Sequence, residues 1–327
     1  MQAADTLCWV LTDGKAGMEA QAIGLAEAVG LPHETKRLRG GLPWRFLPAA
    51  LWPPGVMGLS PRSDQLAAPW PRLVISCGRH AVGPALEVKR RSGGATLAVH
   101  IQHPHVPLSR FDLVVAPAHD RIDGPNVEVT AGSVHRVTRE RLDRAAAALA
   151  DKERQWPKPR IAVLIGGSNG AYRLDEVETA RLAAQLKEVA HKTRGSLLVS
   201  PSRRTGSENV RILKRALSGT PGQVWDLQGP NPYFAWLGAA DAILATGDSV
   251  NMVSEAASTG KPVYLLRLPA VGRVEKFRRF HQSMFDADAV RPFEGKIDFT
   301  WAPSPLDDTR RAAERVRALL DASPSSA

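Results

Sequence analysis

The 327-residue chain has only two cysteines, which excludes a disulfide scaffold. Cys8 and Cys77 lie in the apolar runs LCWVL and LVISC and read as small buried hydrophobes in a reducing, cytoplasmic compartment. No apolar run approaches the roughly 18 residues that span a bilayer, so no transmembrane helix is expected. MQAADTL carries no positive flank before its apolar run, so no signal peptide is expected. A Walker A loop is missing: Gly14-Lys15 would need a glycine where Trp9 stands. The dinucleotide pattern G-x-G-x-x-G is missing as well, and with it the signature of a hydride-transfer enzyme.

Positive charge is in surplus, 43 Lys+Arg against 33 Asp+Glu, a net +10. Residues 1–150 hold 17 basic and 13 acidic groups, and residues 151–327 hold 26 and 20. The excess is spread rather than clustered, so no nucleic-acid partner is expected. An anionic small ligand and an anionic membrane surface both stay open.

Short, nearly continuous apolar runs predict strands at 7–11, 73–76, 98–101, 113–116, 161–165, 196–200, 224–226, 242–245 and 263–266. Helical patterns fall between them at 16–29, 81–90, 176–192, 209–216 and 250–259. The alternation predicts an α/β chain of two doubly wound halves. Residues 1–150 form a first domain and 160–275 a second, joined by the polar, Pro-containing stretch 151–159. Residues 276–327 follow as a return segment with a final helix at 307–320, and the closing SPSSA is expected to fray. Segment 40–72 breaks the rhythm with seven prolines and three of the eight tryptophans, Trp44, Trp52 and Trp70. It reads first as an irregular insertion packing on the first domain, and second as an interfacial membrane patch.

Three loops carry candidate chemistry. TDGKAGMEAQ (12–21) follows the first strand, with Asp13, Gly14 and Lys15 in a turn and Gly17 allowing close approach to an anion at a helix start. IGGSNGAYRLD (165–175) opens the second half. Gly166 and Gly167 permit positive φ there, and Ser168 and Asn169 add polar side chains. The next strand ends in Ser202, Arg203 and Arg204, which suit phosphate or carboxylate, with no acid for an NAD ribose. In ATGDSVNMVSEAASTGKP (245–262), Asp248 or Ser249 caps a helix that Gly260 and Pro262 end. Asn251 and Glu255 share its polar face. Each loop also has a plain reading, as an ordinary βα turn or a solvated helix face. Gly78 and Arg79 end another strand, where Arg79 could meet an anion. His100, His103 and His105 are broken up by Pro104 and Pro107, so no metal site is expected, and Asp286-Ala287-Asp288 reads as a chance D-x-D.

WVLTDGKAGMEAQ, VISCGRHAVGPAL, IQHPHVPLSRFDLVVAPAHD, VLIGGSNGAYRLD, SPSRRTG, ATGDSVNMVSEAASTGKPV and KFRRFH together resemble the mitochondrial fission protein family of plants and its bacterial members. That family is in turn similar to GT-B glycosyltransferases. The resemblance implies two Rossmann-like domains facing across a cleft, the second holding a nucleotide-diphosphate sugar and neither requiring a metal or other cofactor. It implies Gly167 and Ser168 near the diphosphate, Ser249 and Asn251 lining the donor pocket, and Glu255 on the ribose. Asp13, Gly14, Lys15 and Gly17 would form the acceptor-side loop. KFRRFH (276–281) would lead back to the first domain, where the last helix packs. Asp13 and His103 are the candidate general bases for a metal-independent glycosyltransferase. The alternative implied is a non-catalytic, membrane-peripheral adaptor that recruits a protein partner through 40–72. The epimerase label borne by some bacterial members fits less well: none of the three tyrosines, Tyr172, Tyr233 and Tyr264, begins a Tyr-x-x-x-Lys pair.

Overall fold

The computed structural model describes residues 7–47, 51–52 and 55–322. The expectations for the first six residues, for SPSSA and for Pro48, Pro53 and Pro54 of the insertion fall outside the described residues. The chain forms two compact units, each built on one parallel six-stranded sheet.

The first unit spans residues 1–136 and 307–327. In chain order it holds β1 (Cys8–Thr12), α1 (Ala16–Val29), β2 (His33–Arg37), β3 (Leu73–Cys77), α2 (Arg79–Arg91), β4 (Leu97–Ile101), β5 (Leu113–Pro117) and β6 (Val127–Thr130). The strand order is β2-β1-β3-β4-β5-β6. Side chains of a strand alternate between faces. Cys8, Val10, Ile75, Cys77 and Val99 therefore pack on one side, and Trp9, Leu11, Val74, Ala98 and Val114 on the other. Both thiols are free and buried, and burial pushes each well above the usual thiol range. The insertion keeps Trp70 edge-on to Trp9, with centroids 6.0 Å apart, and stacks Trp52 on His80 at 5.0 Å. Those two rings pack on the unit as the first reading of the segment expected.

The second unit spans residues 137–306. It holds α3 (Arg139–Ala147), α4 (Asp151–Arg154), β7 (Arg160–Ile165), α5 (Glu176–Thr193), β8 (Ser196–Pro201), α6 (Ser207–Ala216), β9 (Gly222–Val224), α7 (Tyr233–Ala239), β10 (Ala242–Thr246), α8 (Val250–Ala257), β11 (Val263–Leu266), α9 (Glu275–Asp286) and β12 (Arg291–Pro292). The order is β12-β11-β10-β7-β8-β9. The last helix, α10 (Asp308–Ala322), lies in the first unit. There Ala312, Ala313 and Val316 join the core under α1, and Asp308 accepts the Gly132 amide at 2.8 Å.

Two boundaries differ from expectation. The units divide after Arg136 rather than at 150, because α3 packs on α7. Gly238 makes that approach possible: a Cβ there would sit 2.4 Å from the Leu142 carbonyl oxygen. Stretch 151–159 is thus an internal connection containing α4. KFRRFH is not a return segment but part of α9 in the second unit, anchored by fully buried Phe280. Among the described residues, no helix is long and apolar enough to cross a membrane.

Candidate functional site

Parallel strands end together, so the loops after β10, β7 and β8, neighbours in the second sheet, meet at one edge. Asp248 joins them. Its carboxylate is fully buried, accepts the Gly167 amide at 2.9 Å and the Thr246 hydroxyl at 2.7 Å, and pairs with Arg204 Nη1 at 2.8 Å. Arg204 also donates to the Gly167 carbonyl at 3.0 Å, and the Gly166 amide donates to Thr246 Oγ1 at 2.8 Å. This geometry corrects the reason for the two glycines. Neither takes a positive φ. A Cβ on Gly166 would lie 2.1 Å from Asp248 Oδ2, and one on Gly167 2.2 Å from the Arg204 carbonyl oxygen. They are glycines because three loops close on them, and both amides are already bonded within the protein.

The neighbouring polar groups divide into structural and outward-facing ones. Ser168 Oγ bridges the Leu174 amide and carbonyl. Residues 166–170 also spell the G-x-S-x-G of a serine-hydrolase elbow, yet this closed bond pair makes Ser168 a loop clip. Asn169 accepts the amides of Ala171 and Tyr172 and donates to the Asp248 carbonyl at 3.1 Å. Ser202 Oγ donates to the Gly166 carbonyl at 2.6 Å. Arg203 is exposed and has no ion-pair partner among the described residues. Ser249 is the N-cap of α8, its hydroxyl accepting the Met252 amide at 3.5 Å, and Asn251 lies half-buried in the helix's first turn.

Glu255 does not lie on a solvated helix face, the plain reading of this helix. It is 9% exposed and accepts the Tyr233 hydroxyl at the start of α7. Burial lifts its carboxyl to about 7, against the opposing pull of that hydrogen bond, and lifts the Tyr233 phenol well above its usual value.

Beside this edge lies a cavity of about 500 Å³ between the loop after β11 and helix α9. Arg267, Arg278, His281, Tyr172, Phe285 and Gly247 are among its lining residues, and none of the lining residues is acidic. Its floor is tied to the loop after β7: the Val271 amide donates to the Ala171 carbonyl at 2.8 Å, and a Cβ on Gly272 would lie 2.1 Å from the Gly170 carbonyl oxygen. His281 Nε2 lies 2.8 Å from the Gly247 carbonyl, so Nε2 carries the proton. Burial depresses this imidazole, and the neutral ring keeps Nδ1 as an acceptor.

In the first unit, the loops after β1 and β3 adjoin. The Asp13 side chain is 3% exposed and pairs with Lys15 at 2.6 Å. Gly14 takes φ +77° in the turn, and Gly78 takes φ +90°, a backbone conformation that L side chains rarely adopt. Arg79 opens α2, exposed, and its Nε reaches His80 Nε2 at 3.3 Å. Gly17 is not in the loop: it lies in the first turn of α1, its carbonyl bonded to Gln21. His103 stacks on His105 with centroids 4.3 Å apart and accepts the His105 amide on Nδ1. His100 turns instead to Ser76 at 2.8 Å inside the sheet face, so the three histidines do not converge. Asp288, of the D-x-D, accepts the Trp301 indole N–H and meets Arg291.

Residues 16–320 match the sequence profile of the mitochondrial fission ELM1 family. The chain belongs to that family. The mitochondrial fission protein ELM1 of Arabidopsis thaliana is 33% identical over 278 residues, covering 77% of this chain and 64% of its own, so the chain spans under two thirds of that relative. Among solved structures, Acinetobacter baumannii MurG superposes with a TM-score of 0.51 at 15% identity, covering 97% of this chain and 99% of its own. Methanocaldococcus jannaschii UDP-GlcNAc 2-epimerase, in complex with UDP-GlcNAc and UDP, superposes with a TM-score of 0.50 at 13% identity, covering 96% and 99%. At these identities the likeness establishes the GT-B-like fold alone.

Sequence reasoning missed Tyr233, Arg267, Arg278 and His281. The latter two share the α9 face three residues apart, a spacing that the KFRRFH motif already contained.

Proposed function

We propose that the second unit binds a nucleotide-diphosphate sugar at the edge formed by the loops after β7, β8 and β10. The observation that carries this reading is Glu255: a carboxyl buried in the second turn of α8, one turn beyond Asn251, with one hydroxyl as its hydrogen-bond partner. A ribose diol would replace the Tyr233 hydroxyl on it. The N-terminal turn of α8 and the guanidinium of Arg203 suit the diphosphate. The two solved neighbours support the reading by fold, and the M. jannaschii one is in complex with UDP-GlcNAc and UDP.

The activity proposed is metal-independent glycosyl transfer to an unidentified acceptor. A base takes the acceptor O–H proton, the oxygen bonds the anomeric carbon, and the nucleoside diphosphate leaves with the bonding electrons. Asp13 is the better base. His103 Nδ1 is taken by an amide, so in the neutral ring Nε2 is a donor. Calorimetric titration of UDP, GDP, ADP and their sugars tests the binding. Glu255→Ala should weaken it about tenfold to a hundredfold, the range for a hydrogen bond to a charged group. Folded protein that binds none of these ligands would sink the proposal.

A second reading, the membrane-peripheral adaptor, has one observation in its favour. Leu42, Phe46, Leu51 and Met57 are 70%, 66%, 62% and 75% exposed within one short stretch of the insertion. Large apolar side chains grouped in this way mark an interaction surface. Replacing Leu42, Phe46 and Met57 with serine should lower binding to anionic vesicles by roughly a hundredfold or more. Unchanged flotation would remove the insertion from this role.

A further inference from the structure

The cavity beside α9 lies next to the proposed nucleotide edge, sharing Gly247 with the loop after β10. Arg267 leaves the end of β11, three strands from the Arg203–Arg204 loop after β8. At about 4.8 Å per strand the two loops start roughly 14 Å apart, so the two arginine pairs stand at different places along the edge. Neither Arg267 nor Arg278 has an ion-pair partner among the described residues, and both are exposed at the cavity wall. His281 offers an acceptor, while Tyr172 and Phe285 offer apolar ring surface. The volume of about 500 Å³ accommodates a hexose.

We propose that this cavity takes a carboxylate-bearing hexose, the sugar half of an acidic nucleotide sugar of the hexuronate class. The inference rests on the reading of the second unit as a nucleotide-sugar site. Arg267 and Arg278 meet the carboxylate, which favours two planar guanidinium donors. His281 Nδ1 accepts a sugar hydroxyl, and the C–H face of the ring lies on the aromatic wall.

Calorimetry on the full chain with UDP, UDP-glucose and UDP-glucuronate, for wild type, Arg267→Ala and Arg278→Ala, tests it. Wild type should bind UDP-glucuronate about tenfold to a hundredfold more tightly than UDP-glucose. Either substitution should erase that preference and leave UDP affinity unchanged. Equal affinity for the two sugars, or a preference that survives both substitutions, overturns the inference. So does an equal loss of UDP binding, which would assign the arginines to the nucleotide phosphates. Free glucuronate, followed through the His281 imidazole resonances by NMR, separates this inference from the one beneath it. Arg278-dependent perturbation without UDP binding keeps the cavity and removes the nucleotide. UDP binding with no perturbation by glucuronate, and no UDP-glucuronate preference, removes the cavity.

Discussion

Asp248→Ala is expected to lower the melting temperature by roughly 10 °C. The substitution strips the acceptor from the Gly167 amide, the Thr246 hydroxyl and Arg204 together. Removing one partner of a buried ion pair costs about 3–5 kcal/mol, because the groups left behind are desolvated and unpaired. Arg204 is 41% exposed and recovers some hydration, which places the loss near the lower figure. For a unit of this size each kcal/mol is worth roughly 2–4 °C. Asp226→Ala is the control. That carboxylate is half-exposed and pairs with Lys214 at 3.2 Å in reach of water, so its removal should leave the melting temperature close to that of wild type. Thermal unfolding of the two variants side by side decides the matter. A Tm within 2 °C of wild type for Asp248→Ala, a margin of roughly 1 kcal/mol at this size, would mean that the three loops hold together without it.

The sequence showed the central strands plainly and the edges poorly, for one physical reason. β1, β3, β4, β7, β8 and β10 lie inside their sheets, covered on both faces, and read as continuous apolar runs. β2, with sequence HETKR, is an edge strand with half its surface in water, so no apolar run marks it. β6 and β12 are edge strands too, and β9, the fourth edge, lies two residues before its expected place. The unit boundary was hidden because an Ala-rich helix followed by a proline stretch looks like a domain end. What assigns α3 to the second unit is a glycine nearly a hundred residues away, Gly238. The site was legible as a set of loops but not as a set of roles. Composition marks Gly166 and Gly167 as special positions. Only the fold reveals that a carboxylate and a carbonyl from other loops fill the space that a Cβ would take.

Glu255→Gln should make the protein more stable above neutral pH, and the sign follows from burial. An ordinary glutamate carboxyl titrates near 4.5, while this one is lifted to about 7. Below about 4.5 folded and unfolded chains are both protonated here, and the residue has no pH-dependent effect. Between about 4.5 and 7 the unfolded chain releases its proton and the folded chain keeps it, so stability falls as pH rises. Above about 7 the loss is complete and amounts to about 3 kcal/mol, at about 1.4 kcal/mol per tenfold change in proton affinity. Glutamine mimics the protonated carboxyl, still accepts from Tyr233, and escapes that loss. Denaturant melts at pH 4.5 and 8.5 should therefore give equal stabilities at the lower pH and a variant more stable by about 1–3 kcal/mol at the higher. A difference that is the same at both pH values would show that Glu255 is not buried as a titrating group. A ligand hydroxyl that donates to the ionised carboxylate relieves what folding alone leaves uncompensated. A bound nucleotide should therefore stabilise wild type more at pH 8.5 than at pH 5, and Glu255→Gln equally at both.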